Sequence, residues 1–110
     1  MILLIDIKKW LEDNLNGVKV EETVFRKPPK TPYIVYDDDV TKRGSDERNH
    51  IIEHDVVIEL YGATKLSIES VSKQIDTLLL DIEYRSFMEY IKEEQQYVKT
   101  FSFNLIEKEQ

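Results

Sequence analysis

The residues best suited to chemistry fall in one short stretch, His50-Ile51-Ile52-Glu53-His54. Their spacing matches the H-x-x-E-H pattern of inverted zinc proteases, in which two histidines hold the metal and the glutamate activates its water. That chemistry needs all three side chains on one helical face. Here the flanking residues are β-branched and alternate, as in a strand, which puts His50 and His54 on one face and Glu53 on the other. The expectation is a strand that carries two histidines, with no metal ligands among them. Replacing both by asparagine is then expected to leave the fold intact. Asp37-Asp38-Asp39 invites a divalent ion, but calcium loops space their ligands at alternate positions around a glycine and end in a bidentate glutamate. Gly44 and Glu47 stand at the wrong offsets, so a solvated strand end is expected. No serine is framed by the glycines of a nucleophile elbow, and no glycine-rich phosphate loop occurs. No catalytic residue and no cofactor site is assigned.

The elements that must position these residues are legible from their periodicity. Ile52, His54, Val56, Ile58 and Leu60 alternate with Glu53, Asp55, Val57, Glu59 and Tyr61, the pattern of a strand with one buried face. After a break at Ala63-Thr64-Lys65, the spacing of Ile68, Val71, Ile75, Leu78, Leu79 and Ile82 becomes helical. A first helix is expected over Leu3–Leu15, with Leu4, Ile7, Leu11 and Leu15 on its stripe and Asn16-Gly17 as its stop. Val18–Phe25 reads as a strand with Val18, Val20 and Val24 on one face. After Pro28 and Pro29, Pro32–Tyr36 reads as its antiparallel hairpin partner. Tyr84–Ile91 and Gln96–Ile106 form a closing hairpin, with Tyr97, Phe101, Phe103 and Leu105 on its buried side, Lys99 snorkelling near the sheet's end, and a solvated tail from Glu107.

Asp37–Asn49 is the most polar stretch, and a long loop is expected there. Within it Lys42, Arg43, Asp46, Glu47 and Arg48 are the candidate subunit-interface residues, since charges of both signs can orient a neighbour. Residues 1–110 thus form one domain, in the order helix, strand, strand, long loop, strand, helix, strand, strand. Short turns and a helical layer on one face make this an α+β two-layer sandwich with a mainly antiparallel sheet.

Composition narrows the function classes. A chain of 110 residues with 41% hydrophobic content can build one core. It has no cysteine, and so no disulfide framework. A formal net charge of −7 argues against sequence-specific nucleic-acid binding, which needs a basic face. The opening MILLIDIKKW is too short and too soon charged for a membrane span or secretory signal, so a soluble intracellular protein is expected.

Taken along its length, the chain resembles the small tail terminator and tail-completion proteins of long-tailed phages and prophages, in the minor capsid or tail-to-head joining group. The resemblance lies in the helix around LIDIKKWLEDNL, the Pro-Tyr-Ile-Val-Tyr strand, the polar loop, the strand HDVVIELYG, the helix SIESVSKQIDTLLL and the closing KTFSFNLIEK. It implies a non-enzymatic virion protein that forms a ring, usually of six subunits, between tail tube and head connector. It places the chain in the virion tail, and in the bacterial cytoplasm during assembly. A rival reading is a small adaptor or regulatory protein that binds one partner through an open sheet edge. A hydrolase built on His50, Glu53 and His54 is the third.

Overall fold

The computed structural model describes residues 6–44 and 50–109. In chain order they form α1 (Ile7–Asn14), β1 (Lys19–Glu22), β2 (Tyr33–Arg43), β3 (His50–Gly62), α2 (Lys65–Leu78), β4 (Tyr84–Ile91) and β5 (Gln96–Glu109). The strands make one sheet in the order β1-β2-β3-β5-β4. β1 runs parallel to β2, and every other neighbour is antiparallel. The fold is therefore α+β, two-layered, and mainly antiparallel.

Each helix forms where its ends are capped and one stripe is apolar. Asp6 caps α1 by accepting the Lys9 amide at 3.0 Å, and Gly17 takes the positive φ of 72° just past its end. The part of the expected first helix before Asp6, including Leu4, lies outside the described residues. Thr64 and Ser67 cap α2 reciprocally, Ser67 N–H to Thr64 Oγ1 at 3.0 Å and Thr64 N–H to Ser67 Oγ at 3.2 Å. Gly62 allows this helix to start close to the sheet, because a Cβ there would lie 2.5 Å from Ile68 Cγ1. Ile7, Leu11 and Leu15 from the first helix and its cap, and Ile68, Val71, Ile75 and Leu79 from the second, join one core with Val20, Ile34, Tyr36, Val56, Ile58, Leu60, Phe101 and Phe103. Leu78 packs at its rim. Lys99 Nζ lies 5.3 Å from the centroid of the Phe101 ring and donates to the buried Ser72 Oγ at 2.8 Å, so its head is held within the sandwich and does not snorkel to solvent.

Four expectations need correction. The first two strands are not an antiparallel hairpin but a parallel pair, Lys19 opposite Tyr33 through Glu22 opposite Tyr36. The connecting residues 23–32 are long enough to carry the chain back past so short a strand, which a tight turn could not do. Val24, expected on the buried face, is 66% exposed in that connection. The stretch expected as a loop from Asp37 is strand as far as Arg43, because its backbone pairs with Ile51–Val57 and a ladder is indifferent to side-chain polarity. Glu107 belongs to no solvated tail: β5 runs on to Glu109, pairing with β3 to its start.

The contiguous core cluster stops at Val56 and Phe103, with Leu105 at its rim and Ile52 buried beyond it, whereas β2, β3 and β5 continue. The 14 residues of β5 span about 46 Å at roughly 3.3 Å per residue, close to the molecule's 50 Å long axis. The three strands therefore extend as an arm beyond the hydrophobic core.

Truncation should separate core from rim. Ile75→Ala, at a fully buried site, is expected to cost about 2–5 kcal/mol in urea unfolding. Leu80→Ala, at an exposed one, should stay within about 0.5 kcal/mol of the parent. Equal losses would contradict the packing described.

Candidate functional site: a buried histidine between two carboxylates

The alternation of β3 carries His54 onto the core-side face, on the same side as Ile52 and Val56. In the neighbouring strands Asp38 stands opposite Val56, and Glu107 stands opposite Ile52. The three side chains converge across β2, β3 and β5. His54 is 6% exposed and Glu107 1%. The His54 Nδ1 lies 2.9 and 3.0 Å from the two Asp38 oxygens. A carboxylate offers no proton, so Nδ1–H donates. On the other side of the ring, Nε2 lies 3.5 Å from Glu107 Oε2. That is an ion-pair separation, too long for a good hydrogen bond. Nε2 and Glu107 Oε1 are both buried without a hydrogen-bond partner among the described residues.

The electrostatics favour a charged ring. Burial acts to lower the His54 pKa, but the hydrogen bond and charge of Asp38, followed by those of Glu107, outweigh it and raise the value above 6.5. When protonated, the ring on β3 bridges Asp38 on β2 and Glu107 on β5 and so ties three strands together. One carboxylate on Nδ1 also orients the ring as in hydrolytic triads. The place a nucleophile would take at Nε2 is occupied by Glu107, however, and the ring is closed to solvent.

Of the H-x-x-E-H residues, Glu53 projects from the opposite face of β3 and forms an ion pair with Arg43. His50 opens the strand, and its side chain is outside the described part. Among the described residues no group of three or more His, Asp or Glu side chains is arranged to hold a metal ion. The expected interface residues do not form one loop. Lys42 and Arg43 belong to β2, and Asp46, Glu47 and Arg48 lie outside the described residues. Asp37, which accepts from Thr23 Oγ1 at 3.1 Å, and Asp39 are exposed as expected, but the strand does not end there and Asp38 is engaged by His54. Sequence reasoning missed Asp38 and Glu107. The signal was the alternation itself, which places Asp38 in step with Ile34 and Tyr36, and Glu107 in step with Phe103 and Leu105.

Two further features border the arm. β5 outruns β4, leaving an open notch of about 630 Å³ between Glu83–Arg85, Ser102–Asn104 and Asp55–Val57. Ile106, beyond it, is 57% exposed. The open sheet face carries Asp37, Asp39, Asp55 and Glu59. Burial and then the Asp37 charge raise the Glu59 pKa, and Glu89 adds to the rise.

Fold and site define a two-layer α+β protein with a carboxylate–histidine–carboxylate tie across its three longest strands. No family of known proteins matches the chain, and no curated protein does. Among the described residues, no helix is long and apolar enough to cross a membrane.

The site corrects the expectation that asparagine at His54 is harmless. Removing the cation leaves two carboxylates facing each other in a buried space, so His54→Asn should cost about 3–5 kcal/mol, measured by urea unfolding at pH 6. A cost near zero would show that the ring carries no charge.

The pH dependence follows from the raised pKa. The folded chain holds this proton more tightly than the unfolded one, so the stabilisation is complete below pH 6.5 and is lost as pH rises through the higher folded value. Unfolding free energy measured from pH 6 to pH 9 should fall in the parent protein and fall less in His54→Leu. Parallel profiles would remove His54 as the cause.

Proposed function

We propose that this protein is a non-enzymatic structural component of a phage or prophage tail, forming a ring at the junction of tail tube and head connector. The observation that carries the reading is the three-stranded arm. Its strands outrun the hydrophobic core, it is tied internally by His54, and among the described residues it leaves the edge of β5 unpaired beyond β4. An arm of this kind suits contact with a neighbouring subunit, since an unpaired strand edge offers backbone donors and acceptors to a partner chain. Lys42 and Arg43 near its tip, with the acidic open face, supply charge of both signs to orient that neighbour. The acidic face also suits the wall of a channel through which DNA passes without being bound. The tail location and the six-subunit ring rest on the family resemblance.

The adaptor reading shares the free sheet edge and differs in its partner. Tail tubes of the same phage, assembled without their terminal ring, separate the two. Adding the purified protein should place ring-shaped density at one end of each tube in electron micrographs and stop further growth. Tubes that stay bare-ended and keep lengthening would sink the tail reading.

A further inference from the structure

β4 is an edge strand, and its outer side is unpaired among the described residues. Sheet edges are normally guarded by charged side chains, above all lysines, or by prolines, bulges or shortness. The eight residues of β4 include no lysine and no proline, and their two charges, Arg85 and Glu89, are of opposite sign. Phe87 is 57% exposed, and Met88 and Tyr90 are exposed beside it. The helical layer leaves this edge open, since α2 packs on β3 and β5.

The order of these residues is self-complementary. Antiparallel pairing of β4 with the same strand of a second copy, centred on Phe87, sets Arg85 opposite Glu89 and Glu89 opposite Arg85. It also sets Tyr84 opposite Tyr90, Ser86 opposite Met88, and Phe87 opposite itself. Arg85, Phe87 and Glu89 share one sheet face by alternation, so both ion pairs flank the aromatic pair on the same side. Sliding the register by two residues in one direction puts Arg85 against Phe87 and Glu83 against Glu89. Sliding it in the other puts Arg85 against Ile91 and Glu89 against Phe87. Only the Phe87-centred register matches both charges while keeping the two helical layers on one side of the joined sheet.

We propose that the free protein forms a two-fold dimer through β4, joining two five-stranded sheets into one of ten strands with Phe87 on the axis. Such an isologous contact uses one surface twice, which is why a single strand can carry the complementarity. The inference stands apart from the tail reading, because it concerns the chain in solution and uses residues outside the arm.

Sedimentation equilibrium on the complete chain tests it. The parent should dimerise, and Arg85→Glu or Glu89→Arg should each weaken association about tenfold by placing like charges opposite each other twice. The double variant R85E/E89R should recover the parent affinity. A monomeric parent, single swaps without effect, or a double swap that fails to recover would each overturn the proposal. Register is tested by Phe87→Cys, since the chain has no other cysteine. Mild oxidation should give a covalent dimer on a non-reducing gel, and a thiol that stays monomeric would overturn the Phe87-centred pairing. A monomeric parent that still caps tail tubes would remove the dimer and leave the tail reading standing.

Discussion

The structure depends on the phase of β3. This strand lies at the centre of the sheet and pairs with β2 over eleven positions and with β5 over thirteen. Because side chains alternate, its phase decides what both neighbours bury. Ile58 and Leu60 face the helices, so Ile34, Tyr36 and Phe101 beside them do as well. A slip of one residue would turn Glu53, Asp55 and Glu59 into the core. That cost holds the register along the whole length of the sheet, including the part beyond the hydrophobic core.

In that outer part the same phase delivers polar groups to the core-side face. Asp38, His54 and Glu107 arrive there through the alternation that places Tyr36, Val56 and Leu105 two residues away. Where the strands run past the core few apolar side chains remain to hold them, buried Ile52 and the rim residue Leu105 among them, and three ionisable groups in mutual reach add to that hold. The tie differs from apolar packing in one respect: its three members are ionisable, while the helical sandwich below it is held by burial.

The edges of the sheet divide the surface by use. β1 is short and continues into the connection 23–32, where Phe25 packs edge-on against Tyr33. That edge is partly covered by its own chain. β4 and the end of β5 form the opposite edge, with exposed Phe87, Met88, Tyr90 and Ile106 and the notch between them. Among the described residues this edge is ordered and unpaired, because β5 holds it from one side only.

Periodicity alone determined most of the architecture. The alternation from Ile52 to Leu60, the helical stripe from Ile68 to Leu79 and the closing hairpin all state which face is buried, because burial is written in residue type. Partner choice is not written there. The parallel pairing of β1 was decided by how residues 23–32 route the chain, a global matter of reach that local turn residues do not reveal. The strand character of Asp37–Arg43 was decided by β3, since backbone hydrogen bonds can recruit a polar segment once an adjacent strand is held in place. The contact of Asp38, His54 and Glu107 joins positions 38, 54 and 107, and only the assembled sheet brings them together. Local patterns fix the face that each residue occupies; three-dimensional pairing decides which residues become neighbours on that face, and here that neighbourhood is where the charge resides.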